Sequence, residues 1–174
     1  MLPQAHASKT KPPPQRHPPS EVPADPTVGL LHAAGDVSDE HVLVVGGNAL
    51  DLMCALFRGG VAEATLLRPG VRPDHETTDL VIVTEVKSLD CAAAAVIHAR
   101  RALTESGRIV LRVSATPERC PVREIARMLR TDGFASVRIR QFGDHAILTG
   151  QIPWLRSVPR AQAAHPHQAE HSNA

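Results

Sequence analysis

Aromatic residues are nearly missing from this chain: three phenylalanines, one tryptophan and no tyrosine among 174 residues. Phe57, Phe134, Phe142 and Trp154 are too few to build a stacking platform for bases. An excess of one charge is missing as well. Nineteen Lys and Arg stand against 18 Asp and Glu, so no strong field favours nucleic acid or an anionic membrane. No nucleic-acid partner is expected, and no membrane partner. No run approaches the roughly 20 apolar residues that span a bilayer. The first residues, MLPQAHASKTKPPPQRHPPS, lack the apolar core of a secretion signal. Cysteine is scarce and odd in number: Cys54, Cys91 and Cys120 form neither a disulfide framework nor a CxxC pair. They read as buried or half-buried thiols in a reducing compartment, which makes the expected location cytoplasmic.

Proline, by contrast, is concentrated. Eight of the 15 prolines fall in residues 1–26, including Pro12-Pro13-Pro14 and Pro18-Pro19. Proline fixes φ and lacks a donor, so this stretch reads as a disordered tail with polyproline II character. Residues 155–174 form a second polar tail. Its His165, His167 and His171 have no folded frame to fix metal geometry, so no metal site is expected. The globular domain is expected over residues 27–154.

Within it, apolar periodicity alternates between two kinds of element. Thr27–Ala34 reads as a short leading helix. Val42–Val45 is a continuous apolar run, as in a strand buried on both faces. Leu50, Met53, Leu56 and Phe57 then recur at helical spacing until Gly59-Gly60. Ala64–Leu67 is a second short strand, and DLVIVTEV from Asp79 a third. CAAAAVIHARRAL, residues 91–103, is a helix with basic residues at its end. Glu105-Ser106-Gly107 turns the chain into RIVLRV. Pro121 opens a helix lined by Val122, Ile125, Ala126 and Leu129. SVRIRQF and HAILTG flank Gly143-Asp144, a two-residue hairpin turn of the type II′ pattern. His98 and His145 read as structural, His75 and Asp74 as solvated, and Arg138 and Arg140 as the solvent face of the hairpin.

This order of elements resembles the class I S-adenosylmethionine-dependent methyltransferases. TDLVIVTEVKSL resembles their fourth strand, ARRALTESGRIVLRV their helix, glycine turn and fifth strand, and REIARMLRTDGFASVRI their last helix, GF corner and sixth strand. The expected fold class is α/β: a three-layer Rossmann-like methyltransferase fold. Its sheet would be mostly parallel, of about six strands, with an antiparallel C-terminal hairpin.

The resemblance implies a cofactor site at the carboxyl ends of the first, second and fourth family strands, where strand order reverses. It points to Gly46, Gly47, Asn48, Arg68, Thr84 and Glu85 as the residues at that site. Three positions depart from the family pattern. The loop GGNAL keeps Gly46, but Asn48 and Leu50 replace the second and third glycines, which let the backbone approach a ligand. Val44 stands where an acidic residue usually precedes the loop. The second strand ends in Leu67-Arg68-Pro69 instead of an acid that would accept from the ribose hydroxyls, and arginine accepts nothing. Arg68 on a 2′-phosphate, as in NADP enzymes, would need a GxGxxG loop that is not here. Asn48 and Asp51 have a structural reading beside the ligand one, as N-cap and capping box. Glu85 is placed to orient a substrate or act as a base.

A fourth departure is length. PGVRPDHETT alone joins Arg68 to Asp79, where the family places a helix and a strand. Ten extended residues span about 33 Å. Stepping two strands sideways takes about 10 Å and returning along a strand about 17 Å, which leaves room for a bare loop only. The expected result is a thinly covered sheet face that lacks the wall against an adenine ring. Two functional readings follow. One is a degenerate methyltransferase-like domain with weak or no S-adenosylmethionine binding, acting through a homodimer or another protein partner. The other is an active methyltransferase on a small molecule or a partner protein.

Overall fold

A computed structural model describes residues 25–47, 49–68, 71–114 and 121–153. Asp25 caps the first helix, α1 (Pro26–Ala34), its side chain accepting from the Thr27 amide at 2.8 Å. β1 (His41–Val45), α2 (Leu50–Arg58) and β2 (Glu63–Leu67) follow. Then come β3 (Thr78–Val86), α3 (Leu89–Ala102), β4 (Leu103–Ser114), α4 (Val122–Thr131) and the hairpin of β5 (Ala135–Phe142) and β6 (His145–Gln151). One sheet of six strands runs in the order β2-β1-β3-β4-β6-β5. The first four strands are parallel; β6 pairs antiparallel with both β4 and β5. No strand lies beyond β2 among the described residues, as the short connector requires.

Period-two alternation divides the core between the two faces. Val42, Val44, Leu80, Ile82, Val110 and Ile147 point toward α1 and α2. Leu43, Val81, Val83, Ile109, Leu111 and Leu148 point toward α3 and α4. β3 has seven of its nine residues buried because both faces are covered there. β2 has none, because it is an edge strand with neither face fully covered. The connector 68–77 is tied down at its far end. The Glu76 and Thr77 amides donate to the Arg101 and Ala102 carbonyls at the end of α3, and Arg101 Nε donates to the Pro73 carbonyl at 2.8 Å.

Two side chains lock the amino-terminal edge of the sheet. Asp79 accepts from the His41 amide at 3.1 Å and from the Thr104 hydroxyl at 3.4 Å, joining β1, β3 and β4. Arg108 on β4 donates to the Ala34 and Asp36 carbonyls and to Glu40, fastening the end of α1 to the sheet.

Several sequence expectations need correction. The buried stripe of α2 is Leu52 and Leu56, while Leu50 is 75% and Phe57 56% exposed. Glu105-Ser106-Gly107 is no separate turn, because β4 starts directly after α3. Thr78 pairs with Leu103 and Leu80 with Arg108, so the residues between make a bulge inside the strand. A Cβ on Gly107 would stand 2.8 Å from Leu103 Cδ2, which is why that bulge packs closely only with glycine. Cys54 and Cys91 are exposed rather than buried, and Cys120 lies outside the described residues. The hairpin turn has positive φ at Gly143 and not at Asp144, as the type II′ pattern requires. The expected tails fall almost entirely outside the described residues, apart from Asp25 and Pro26.

Candidate functional site

The carboxyl ends of β1, β2 and β3 meet at one rim. β1 runs from Val45 into Gly46, whose φ of +123° suits glycine alone. Glycine is needed there for a second reason: the Thr84 side chain on β3 occupies the place that a Cβ would take. Thr84 is 7% exposed and its hydroxyl donates to the Gly47 carbonyl at 3.0 Å, with the Val45 carbonyl at 3.4 Å. The hydroxyl expected to face a ligand therefore laces the loop to the neighbouring strand.

Glu85, the next residue, is half-buried and paired with Lys87 Nζ at 3.1 Å. Arg68 sits exposed at the end of β2. Asn48 lies outside the described residues. The N-cap position of α2 falls on Ala49, whose backbone is already helical and which makes no side-chain cap bond. Asp51 is exposed in the first turn of α2, where it complements the helix dipole.

Two cavities flank the Gly46-Gly47 ridge and share Gly47 and Glu85. The one toward α3, of about 660 Å³, is mostly apolar. Val45, Leu67, Val71 and Val83 face Cys91, Ala95 and His98 across it. Cys91, Ala94, Ala95 and His98 recur at helical spacing, so α3 presents one stripe to this space, and its alanines leave the room. The other cavity, toward α1 and α2, is about 630 Å³ and polar. It brings Asp25, Thr27, Asp51 and Glu85 together with Lys87 and Arg112. Sequence reading had singled out none of Asp25, Thr27, Lys87, Arg112, Cys91 or His98 for this site. The α3 stripe was detectable from its spacing; the polar set comes from separate elements and carried no local signal. Of the expected residues, Gly46, Gly47, Arg68 and Glu85 line the apolar cavity, and Gly47, Thr84 and Glu85 the polar one.

Solved structures similar to this fold include S-adenosylmethionine-dependent methyltransferases. One from Aquifex aeolicus superposes with a TM-score of 0.58 at 14% identity, covering 74% of this chain and 90% of that one. One from Mesorhizobium loti gives 0.59 at 10% identity over 75% and 99%. The Burkholderia thailandensis 1,6-didemethyltoxoflavin-N1-methyltransferase, solved with S-adenosylhomocysteine, gives 0.54 at 13% over 73% and 76%. The fold is the class I methyltransferase fold. By sequence, no family model and no curated protein matches the chain.

Tested against the cofactor of that fold, the residues here fit only in part. An apolar space beside the loop is present, but a ribose diol needs acceptors. Among the described residues lining that space the only carboxylate is Glu85, already held by Lys87, and the end of β2 offers a guanidinium. No cluster of metal-ligating side chains exists among the described residues, and no described helix is long and apolar enough to cross a membrane.

Proposed function

We propose that this methyltransferase fold binds S-adenosylmethionine weakly or not at all and works through protein contacts. The observation that carries this reading is Arg68, a donor standing where the fold would place the ribose acceptor, with Glu85 tied to Lys87 beside it. The Thr84 hydroxyl, bonded to the loop carbonyls, adds to it. Protein contact is supported at the β2 edge of the sheet. Leu66 on β2 and Val71 in the connector are exposed, as are Leu50 and Phe57 on α2, the helix that joins β1 to β2, and β2 is an edge strand among the described residues. The partner is a second copy of the chain or another protein.

The test is calorimetric titration with S-adenosylmethionine and S-adenosylhomocysteine. No heat at millimolar ligand is the expected result; micromolar binding, lost on substituting Asn48 by a bulky residue, would overturn the reading.

A second reading has its own support. Cavities of about 660 and 630 Å³ on the two sides of the loop are of the size that holds small ligands. An active enzyme would bind the sulfonium nucleoside across Gly46-Gly47 and position a small molecule or a partner protein's nucleophile in the polar cavity. Methyl transfer from a sulfonium depends chiefly on a near-attack geometry. Transfer of labelled methyl groups to material in a cell extract, absent in a Gly47→Trp variant, would establish it.

A further inference from the structure

Among the described residues, the sheet face that carries α1 is covered only as far as β6. Side chains on this face form rows across three strands: Val110, Thr149 and Arg138 in one, Arg112, Ile147 and Arg140 in the next. α1 lies over the buried ends of these rows, with Gly29 close against Ile147. Beyond Ile147 the rows run out to β5, where Arg138 and Arg140 are exposed. Two residues apart on one strand, their Cα atoms are about 7 Å apart on the same face.

Neither arginine has an ion pair among the described residues. His32, in the last turn of α1, adds a third basic group. Together with Ala33, Ile147 and Thr149 they enclose a recess of about 80 Å³. Beside the recess lies a trough of about 220 Å³ that shares Ala33, Arg138 and Thr149 with it and is also lined by Ser136 and Gln151. No carboxylate lines either part.

Among the described residues no carboxylate answers these groups. The Ala34 carbonyl at the end of α1 and the Asp36 carbonyl just beyond it are taken by Arg108, and Arg108 is balanced by Glu40. Charge on an edge strand also discourages unwanted pairing, but that role needs no particular geometry. Here two guanidiniums, an imidazole and a hydroxyl converge on one concave spot beside a longer polar trough. Guanidinium forks match the oxygens of a phosphate, and a dianion answers two unpaired arginines better than a carboxylate does.

We propose that this recess binds a small phosphate ester. The phosphate sits between Arg138 and Arg140, with the Thr149 hydroxyl and His32 at its sides, and the rest of the molecule lies along the trough. The proposal is independent of whether the loop at the other end of α1 holds a cofactor.

The experiment is titration of the full chain with ribose 5-phosphate, inorganic phosphate and ribose in 0.15 M salt, read by calorimetry or amide shifts. Ribose 5-phosphate is expected to bind at least tenfold tighter than inorganic phosphate, and ribose not at all. Arg138→Gln with Arg140→Gln should weaken ribose 5-phosphate at least tenfold. Arg123→Gln with Arg127→Gln, on α4 and equal in charge change, should leave it within twofold. Equal loss in both pairs, or no binding, would overturn the site. A single-stranded oligonucleotide binding a hundredfold tighter than ribose 5-phosphate would overturn the small-molecule assignment.

Discussion

The Thr84 hydroxyl lies 3.0 Å from the Gly47 carbonyl oxygen and fills the place of a Cβ on Gly46. Loop and neighbouring strand therefore fit each other in a way that serves the fold whether or not a ligand is present. Gly46→Ala forces a side chain into a left-handed backbone and against Thr84, and is expected to cost about 2–3 kcal/mol. Thr84→Val keeps the shape and removes the donor, and should cost about 1–2 kcal/mol, since the Gly47 carbonyl loses its partner. Combining Gly46→Ala with Thr84→Ala should recover only the steric part, because φ is unchanged. Urea unfolding of the variants checks all three; a neutral Gly46→Ala would show that the loop is looser than its contacts imply.

How much of this was legible in the sequence depends on whether one segment or several carried the signal. The strand Thr78–Val86, the hairpin turn at Gly143 and the absence of a strand beyond β2 among the described residues each follow from a single stretch: an apolar run, a glycine, a connector too short for more. The face of α2 did not follow. Leu50, Leu52, Met53, Leu56 and Phe57 are all apolar, so two helical stripes satisfy the same periodicity, and packing buried Leu52 and Leu56. The bulge in β4 was hidden because Glu105-Ser106-Gly107 reads locally as a turn, while its pairing is set by β3. At the site, the glycines were visible and the role of Thr84 was not. A hydroxyl at a strand end reads alike whether it faces a ligand or a loop carbonyl.

Arg108 is the other joint that depends on distant residues. It holds the Ala34 and Asp36 carbonyls and pairs with Glu40 at 2.6 Å, both side chains more than two-thirds buried. Arg108→Ala leaves two carbonyls and a carboxylate without their partner, an expected loss of about 3–5 kcal/mol. Arg108→Lys keeps the charge but lacks the fork that reaches three acceptors at once, and should recover less than half. Adding Glu40→Gln to Arg108→Ala should recover part of the loss, because the unpaired charge is removed. A double-mutant cycle by denaturant unfolding gives these values; strict additivity would mean the pair is not coupled.

Acid sensitivity has an identifiable contributor in the same loop. The Ser38 amide, and after it the Ser38 hydroxyl, hold the Asp36 carboxyl below its usual 3.8. A depressed folded-state pKa means the ionised form stabilises the fold above the unfolded value, and that contribution is lost as pH falls through the folded pKa. The window therefore lies below pH 3.8, and neutral or mildly acidic conditions leave it intact. Carboxyl carbon shifts should give Asp36 a midpoint under 3.8, moving up in Ser38→Ala. An unchanged midpoint in that variant would assign the shift to another group.

The two edges of the sheet differ in a way that bears on partners. β5 carries Arg138 and Arg140 and an irregular register near Ala135, features that discourage edge pairing. β2, Glu63–Leu67, has one charge, no proline and no register shift against β1. Leu66 is exposed on it, and α2 adds Leu50 and Phe57. If this end of the molecule is the contact surface, association should be concentration-dependent and should resist salt, since apolar burial and strand pairing carry it rather than ion pairs. Leu66→Lys should abolish it while shifting monomer stability by no more than about 0.5 kcal/mol, as expected of an exposed position. Sedimentation velocity on the chain and on Leu66→Lys decides the case. Association that survives Leu66→Lys, and is lost instead when Arg138 and Arg140 are replaced, would move the contact to the opposite edge of the sheet.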